Sequence, residues 1–225
     1  MRKLVAALAC RINGSRLYGK PLQNLDIEKG ISILDNIIGC LKQIQVIDSI
    51  VLGVANGVEN DVFIEYAEAN GVGYIRGDED DVLDRLIQCG NFDSATDIFR
   101  STSESPFPYF DLVDDAWLHH IDNMNDCTFL DDIIDGCGYE ILSLNALKES
   151  HKKGEDRHRS ELCTLYIREN KSQFNILLTG YEGPIDLLLD LARKQKVNLS
   201  DISILELAEQ YIKFINNYNK IHLEI

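Results

Sequence analysis

The chain has 225 residues, with 22 Lys and Arg against 37 Asp and Glu, a formal net charge of −15. Apolar residues make up 45% and charged residues 26%, a globular balance, and the length suits one α/β domain or one domain with a small appendage. So acidic a chain is a poor ligand for nucleic acid through its overall field, and no apolar run reaches the ~18 residues of a membrane span.

In chain order, residues 4–10 form a continuous apolar run that reads as a buried first strand. Residues 1–10 also resemble a short secretory leader, but Arg11 cuts the apolar stretch, so a strand is the better reading. Ser32 and Asp35 offer a helix start, and Ile33, Ile37, Leu41 and Ile44 continue at helical spacing. Residues 49–55 (SIVLGVA) predict a strand. A helix is expected over 59–70, closed by Gly71, then a short strand over 73–76 and a helix over 80–90. A strand at 96–100 and a helix at 111–122 follow. The last expected elements are a strand at 139–142, helices at 144–152 and 158–170, and a strand at 174–178. This alternation implies an α/β fold, a mainly parallel sheet with helices on both faces. Ligands bind such sheets beyond the carboxyl ends of the strands, so the loops after Cys10, Ala55, Arg76 and Arg100 should border a site.

The rhythm changes after Thr179. Two helical stripes replace it: Ile185, Leu188, Leu189 and Ala192, then Ile204, Leu207, Ala208, Tyr211 and Ile215, opened by Ser203 and Glu206 as a capping box. The expected division is therefore 1–178 and 179–225, the second a C-terminal pair of α-helices. The six cysteines form no C-x-x-C pair and no zinc spacing, which fits small buried residues in a reducing cytoplasm.

The first 25 residues carry Arg2, Lys3, Arg11, Arg16 and Lys20 and no carboxylate. Three of these cations, Arg11, Arg16 and Lys20, sit in the loop that follows the first strand. Its glycines let backbone amides approach an anion, and the three side chains can neutralise a triphosphate and its departing pyrophosphate. Gly14-x-x-x-x-Gly19-Lys20 imitates the front of a phosphate-binding P-loop. Pro21 then stands where Ser or Thr should hold magnesium, which excludes that motif. No serine lies in a nucleophile elbow, so hydrolase triad chemistry has no support.

Ala9-Cys10-Arg11-Ile12-Asn13-Gly14-Ser15-Arg16-Leu17-Tyr18-Gly19-Lys20-Pro21-Leu22 resembles the A-R-x-x-S-x-R-L-P-G-K-x-L signature of acidic-sugar cytidylyltransferases, with the spore-coat polysaccharide type as the nearest branch. The resemblance continues through 47–51, 77–85, 135–140 and 160–167. It implies a Rossmann-like, GT-A-type nucleotidyltransferase fold, CTP as donor, Mg2+ as cofactor, and a CMP-sugar plus pyrophosphate as products. Transferred residue by residue, it implies phosphate roles for Lys20, Arg11 and Arg16, and a nucleotide-binding set of Ala9, Arg11, Asn13, Gly14, Ser15, Arg16, Gly19 and Lys20. Asp78 and Asp81 would shape the nucleotide or sugar end. Glu104 falls at the position of the family's metal-binding aspartate, in Arg100-Ser101-Thr102-Ser103-Glu104-Ser105-Pro106, and Glu140 is the second metal candidate. The two departures are Tyr18 for proline and Glu104 for aspartate. An acidic sugar also needs a cationic receptor, for which Arg100, Arg157 and Arg159 are candidates, with His158 beside them. The family also suggests a homodimer.

Tyr181-Glu182-Gly183-Pro184-Ile185-Asp186-Leu187-Leu188-Leu189 resembles the opening of segregation and condensation protein A, a bacterial kleisin, and the likeness runs on to Ile212. That resemblance implies docking on the coiled coil of a chromosome-structuring ATPase. The leading expectation is thus a cytoplasmic CTP-dependent transferase. The alternatives are an interaction protein acting through 179–225, and a degraded transferase that binds nucleotide without turnover. Direct nucleic-acid or membrane binding is not expected.

Overall fold

The computed structural model describes residues 2–14, 17–130 and 136–179. The chain divides into two units, Met1–Leu178 and Thr179–Ile225. The expected helix pair of the second unit lies outside the described residues.

The first unit is built on a seven-stranded sheet. Its strands are β1 (Leu4–Cys10), β4 (Ser49–Ala55), β5 (Gly73–Gly77), β6 (Asp97–Ser101), β7 (Cys127–Leu130), β8 (Tyr139–Ser143) and β9 (Ile176–Thr179), while β2 (Asn24–Asp26) and β3 (Ile31–Ser32) form a separate antiparallel pair. The order across the large sheet is β5-β4-β1-β6-β8-β7-β9. Strands β5, β4, β1 and β6 are parallel, and β8 runs antiparallel between β6 and β7. This is the mainly parallel α/β sheet that the alternating pattern predicts.

β1 alternates between two cores. Leu4, Ala6, Leu8 and Cys10 face one side, where α1 (Ile33–Leu41), α2 (Val62–Asn70) and α4 (Val113–Asp122) supply Leu34, Ile37, Phe63, Ala67 and Trp117. Val5 and Ala7 face the other, against Leu83, Leu86 and Leu147 from α3 (Val82–Phe92) and α5 (Leu144–Lys153) and Ile167 of α6 (Leu165–Glu169). Apolar side chains on both faces of every central strand explain the unbroken apolar runs.

The helix signals act as read. Ser32 and Asp35 form a reciprocal capping box, with the Ser32 hydroxyl 3.0 Å from the Asp35 amide and the Asp35 carboxylate 3.1 Å from the Ser32 amide. Gly71, at φ +64°, closes α2 in the left-handed region.

Three expectations need correction. β7 has no counterpart in the sequence reading, since Cys-Thr-Phe-Leu is a four-residue run between acidic stretches. The β2–β3 pair was also not expected. The helix expected over 158–170 is a single 3-10 turn, Asp156–His158, followed by the short α6. The carbonyls of Arg159 and Glu161 accept instead from the Leu83 amide and the Arg100 side chain, so this stretch is spent on tertiary bonds. Among the described residues no helix is long and apolar enough to cross a membrane.

Candidate active site

The carboxyl ends of β1 and β6 open onto a cavity of about 150 Å³, on the face of the sheet covered by α3. Ala9 and Arg11 line it from the β1 side, Arg100 and residues 101–104 from the β6 side, Val82 and Arg85 from α3, and Glu161 from the loop before α6. The loops after Cys10 and Arg100 thus reach this cavity. The turn after Ala55 acts indirectly: the buried Asn60 accepts a 2.7 Å hydrogen bond from the Ile12 amide and donates to the Asn56 carbonyl.

The basic loop is folded back on its own start, with the Gly19 amide 2.8 Å from the Ile12 carbonyl. Gly19 has φ +59°, a conformation that strains any side-chain-bearing residue. A Cβ at Gly14 would lie 2.4 Å from the Leu17 carbonyl oxygen, so only glycine fits there. The loop then enters one 3-10 turn, Lys20–Leu22, and the β2–β3 pair rather than the long helix that follows a P-loop. Tyr18, the residue that replaces proline, is 64% exposed and lies outside the buried core. Asn13 is also exposed. Ser15 and Arg16 lie outside the described residues.

Lys20 Nζ stands 3.5 Å from a Glu104 carboxylate oxygen, both side chains being half-exposed. The segment carrying Glu104 is pinned to β1 by the Ser103 hydroxyl, 2.8 Å from the Ala9 carbonyl. Arg11 makes a loose 3.6 Å ion pair with the exposed Glu161. Loose, solvated pairs of this kind add little stability and yield readily to a stronger anion. Arg11, Lys20, Glu104 and Arg100 therefore come together at one end of the sheet.

Other expected residues are occupied elsewhere. Glu140 does not line the cavity. One carboxylate oxygen lies 2.7 Å from Arg100 Nη1, and the other 3.0 Å from the Thr164 hydroxyl and 3.2 Å from Arg168 Nη2. In this arrangement the Glu140 carboxylate is engaged by two guanidinium groups and a hydroxyl rather than facing the cavity. Arg157 is engaged by Glu169 through two 2.7 Å bonds, and Glu169 also meets His158 at 3.0 Å. The Arg157 and His158 contacts hold the Glu169 carboxyl down at about 2. Arg157 is therefore not a free receptor for a sugar acid. Arg159 meets Asp156 at 3.6 Å and does not line the cavity. Asp78 accepts from the amides of Asp80 and Asp81 in a local turn. Asp81 caps α3 through the Asp84 amide and reaches His151 at 2.8 Å.

Arg85 is the residue that sequence reasoning passed over. It is 1% exposed, and its guanidinium donates to the carbonyls of Cys10 at 3.0 Å, Gly53 at 2.9 Å and Glu79 at 3.3 Å. It thereby ties the ends of β1 and β4 to the loop before α3. These partners are all carbonyls, and burial pulls the guanidinium below its ordinary value. The signal was present: Arg85 falls on the buried stripe of Val82, Leu86 and Cys89, where a charge must have a purpose. Burial also pushes the neighbouring Cys10 thiol up to about 12, so it is no nucleophile.

Among the described residues no group of three or more His, Cys, Asp or Glu could hold a metal. Magnesium at nucleotide sites is carried by one or two carboxylates with the substrate phosphates supplying other ligands. The half-exposed Glu104 at the cavity edge fits that donor set.

Residues 5–215 match the family described as Cytidylyltransferase, and the chain belongs to that family of CTP-dependent nucleotidyltransferases. An uncharacterized protein of Methanocaldococcus jannaschii is 26% identical over 223 residues, 99% of this chain and 87% of that protein. The spore coat polysaccharide biosynthesis protein SpsF of Bacillus subtilis is 24% identical over 181 residues, 78% of this chain and 74% of SpsF. Among solved structures, a cytidylyltransferase from Leptospira borgpetersenii serovar Hardjo-bovis superposes with TM-score 0.74 at 18% identity, covering 96% of each chain. A CMP:2-keto-3-deoxy-manno-octonic acid synthetase complexed with CTP gives TM-score 0.59 at 14% identity, over 87% of this chain and all of that one. Segregation and condensation protein A of Clostridium acetobutylicum is 43% identical over 51 residues, 23% of this chain and 20% of that protein's length.

Proposed function

We propose that this cytidylyltransferase moves CMP from CTP onto a hydroxyl of an acidic 2-keto sugar, in the cytoplasm, as a step toward surface polysaccharide. The observation that carries the reading is the cavity that gathers Arg11, Arg85 and Arg100 at the carboxyl ends of β1 and β6, with Lys20 and Glu104 paired beside it. The sugar hydroxyl oxygen attacks the α-phosphorus of CTP as the bond from that phosphorus to the bridging oxygen of the β-phosphate breaks. Pyrophosphate leaves and the hydroxyl proton passes to water. Positioning and charge neutralisation are the enzyme's main tasks, and no covalent protein nucleophile is needed.

In this reading Arg11, Arg16 and Lys20 hold phosphate oxygens, and Ala9, Asn13, Gly14, Ser15 and Gly19 shape the loop around them. Magnesium, when bound, neutralises phosphate charge, and Glu104 would hold it. A nucleotide phosphate would then take over Lys20 from Glu104 and Arg11 from Glu161. Arg100, the cavity-lining member of the expected receptor set, would meet the sugar's carboxylate. The names of SpsF and of the octonic acid synthetase support a surface-sugar acid as acceptor. The test is pyrophosphate release across a panel of 2-keto sugar acids, expected only with CTP, magnesium and an acid together. No release with any acid, and no CTP binding, would overturn it.

A second reading concerns 179–225, treated as a helical unit distinct from 1–178. The 43% identity to segregation and condensation protein A supports docking on the coiled coil of a chromosome-structuring ATPase. The full chain should then capture that coiled coil, and Leu188→Glu with Leu207→Glu should abolish capture. Capture by the doubly substituted chain would refute it.

A further inference from the structure

The described residues hold a charged relay behind the cavity that phosphate chemistry does not explain. Arg100 on β6 and Glu140 on β8 are direct cross-strand partners. Arg100 Nη1 donates to Glu140 at 2.7 Å, and Nη2 donates to the Glu161 carbonyl at 3.0 Å. Its guanidinium is thus gripped from two sides while the side chain still lines the cavity. Glu140 is held in turn by the Thr164 hydroxyl and by Arg168. The Arg168 guanidinium lies 3.9 Å above the ring of Phe129, itself the β7 cross-strand partner of Glu140. The Glu140 side chain is only 12% exposed, against 27% for Arg100.

The Arg168 guanidinium lies over an aromatic ring, whereas the Arg100 side chain lines the cavity. A guanidinium has five N–H donors in a rigid plane, so one gripped at two nitrogens still presents donors in a fixed direction. Carboxylates are the anions that such planar forks recognise.

We propose that Glu140 is a positioning residue for acceptor recognition: backed by Thr164 and Arg168, it fixes the plane of Arg100 as a fork for the carboxylate of the incoming sugar acid. This rests on the acidic acceptor proposed above and reassigns Glu140 from metal binding to acceptor selectivity. Selectivity for acids is then set by the rigidity of Arg100 as well as its charge. Loosening the grip should cost the acid more than it costs a neutral analogue.

The test compares kcat/KM for a sugar acid that the wild type turns over with that for its methyl ester, in wild type, Glu140→Gln and Thr164→Val. Wild type should favour the acid by roughly a hundredfold, the scale of a lost charge-assisted fork. Glu140→Gln should cut that preference to less than roughly tenfold, mainly through acceptor KM, with the KM for CTP within about twofold. Thr164→Val, which removes one hydrogen bond and no charge, should shift the preference in the same direction and keeps the test open if Glu140→Gln fails to fold. An acid-to-ester preference unchanged in a folded variant, or KM values for CTP and acid rising together, would overturn the assignment while leaving the acidic acceptor intact. A wild type that uses the ester as well as the acid would overturn both.

Discussion

Arg85 carries the heaviest structural duty of any single side chain at the site. A buried guanidinium whose hydrogen bonds run to three main-chain carbonyls replaces water at the ends of β1 and β4. Arg85→Met keeps the apolar stem and removes the donors. Unpaired buried acceptors cost about 1–3 kcal/mol each, so the loss should be about 3 kcal/mol. For a chain of this size that lowers the melting temperature by roughly 10 °C. Thermal unfolding of the purified variant checks this, and an unchanged melting temperature would remove Arg85 from its tying role. Gly77 belongs to the same arrangement, since a Cβ there would lie 2.6 Å from Arg85 Cγ. Arg85 was legible only as a charge out of place on an apolar stripe. The partners of Arg157 and Glu140 were not legible at all, because Glu169 and Arg168 reach them through the tertiary fold.

At the scale of elements, a second charged group sits at the opposite end of the sheet. Asp97 at the start of β6 is fully buried, ion-paired with Arg2, and 3.2 Å from His120 Nε2 of α4, whose other ring nitrogen is 2.9 Å from the Thr128 hydroxyl of β7. Burial pushes the Asp97 carboxyl up, but hydrogen bonds from His120, Arg2 and Thr96 outweigh it and hold it below its ordinary value. A carboxylate depressed in the folded state stabilises the fold above its unfolded pKa near ~3.9, and that stability disappears as pH falls through the lower folded value. The melting temperature should therefore fall steeply below about pH 4, and Asp97→Asn should melt lower at neutral pH with a shallower acid dependence. Parallel acid profiles in the two proteins would show that Asp97 contributes nothing. Periodicity made the central strands and five helices legible, since each buries a full apolar face. It failed at β7, where four residues carry no period, and over 158–164, where loop carbonyls answer α3 and Arg100 instead of a helix.

At the scale of the whole molecule, the topology converts two distant sequence segments into one site. β1 and β6 are parallel neighbours, so the loop beginning at Arg11 and the segment ending at Glu104 leave the sheet side by side. The sequence pointed to the first loop by its charge and glycines, to the loop after Arg100 by its place at the carboxyl end of an expected strand, and to Glu104 within it by resemblance. Their meeting depends on strand order, which no local pattern encodes. The central claim is that the cations of the first loop hold the phosphates of CTP. Its most direct measurement is turnover and CTP affinity of Lys20→Ala beside wild type, in magnesium at fixed salt. Turnover should fall more than tenfold, about 1.4 kcal/mol or more of transition-state stabilisation, with weaker CTP binding and an unchanged melting temperature. Equal turnover and equal CTP affinity in the two proteins would contradict the account.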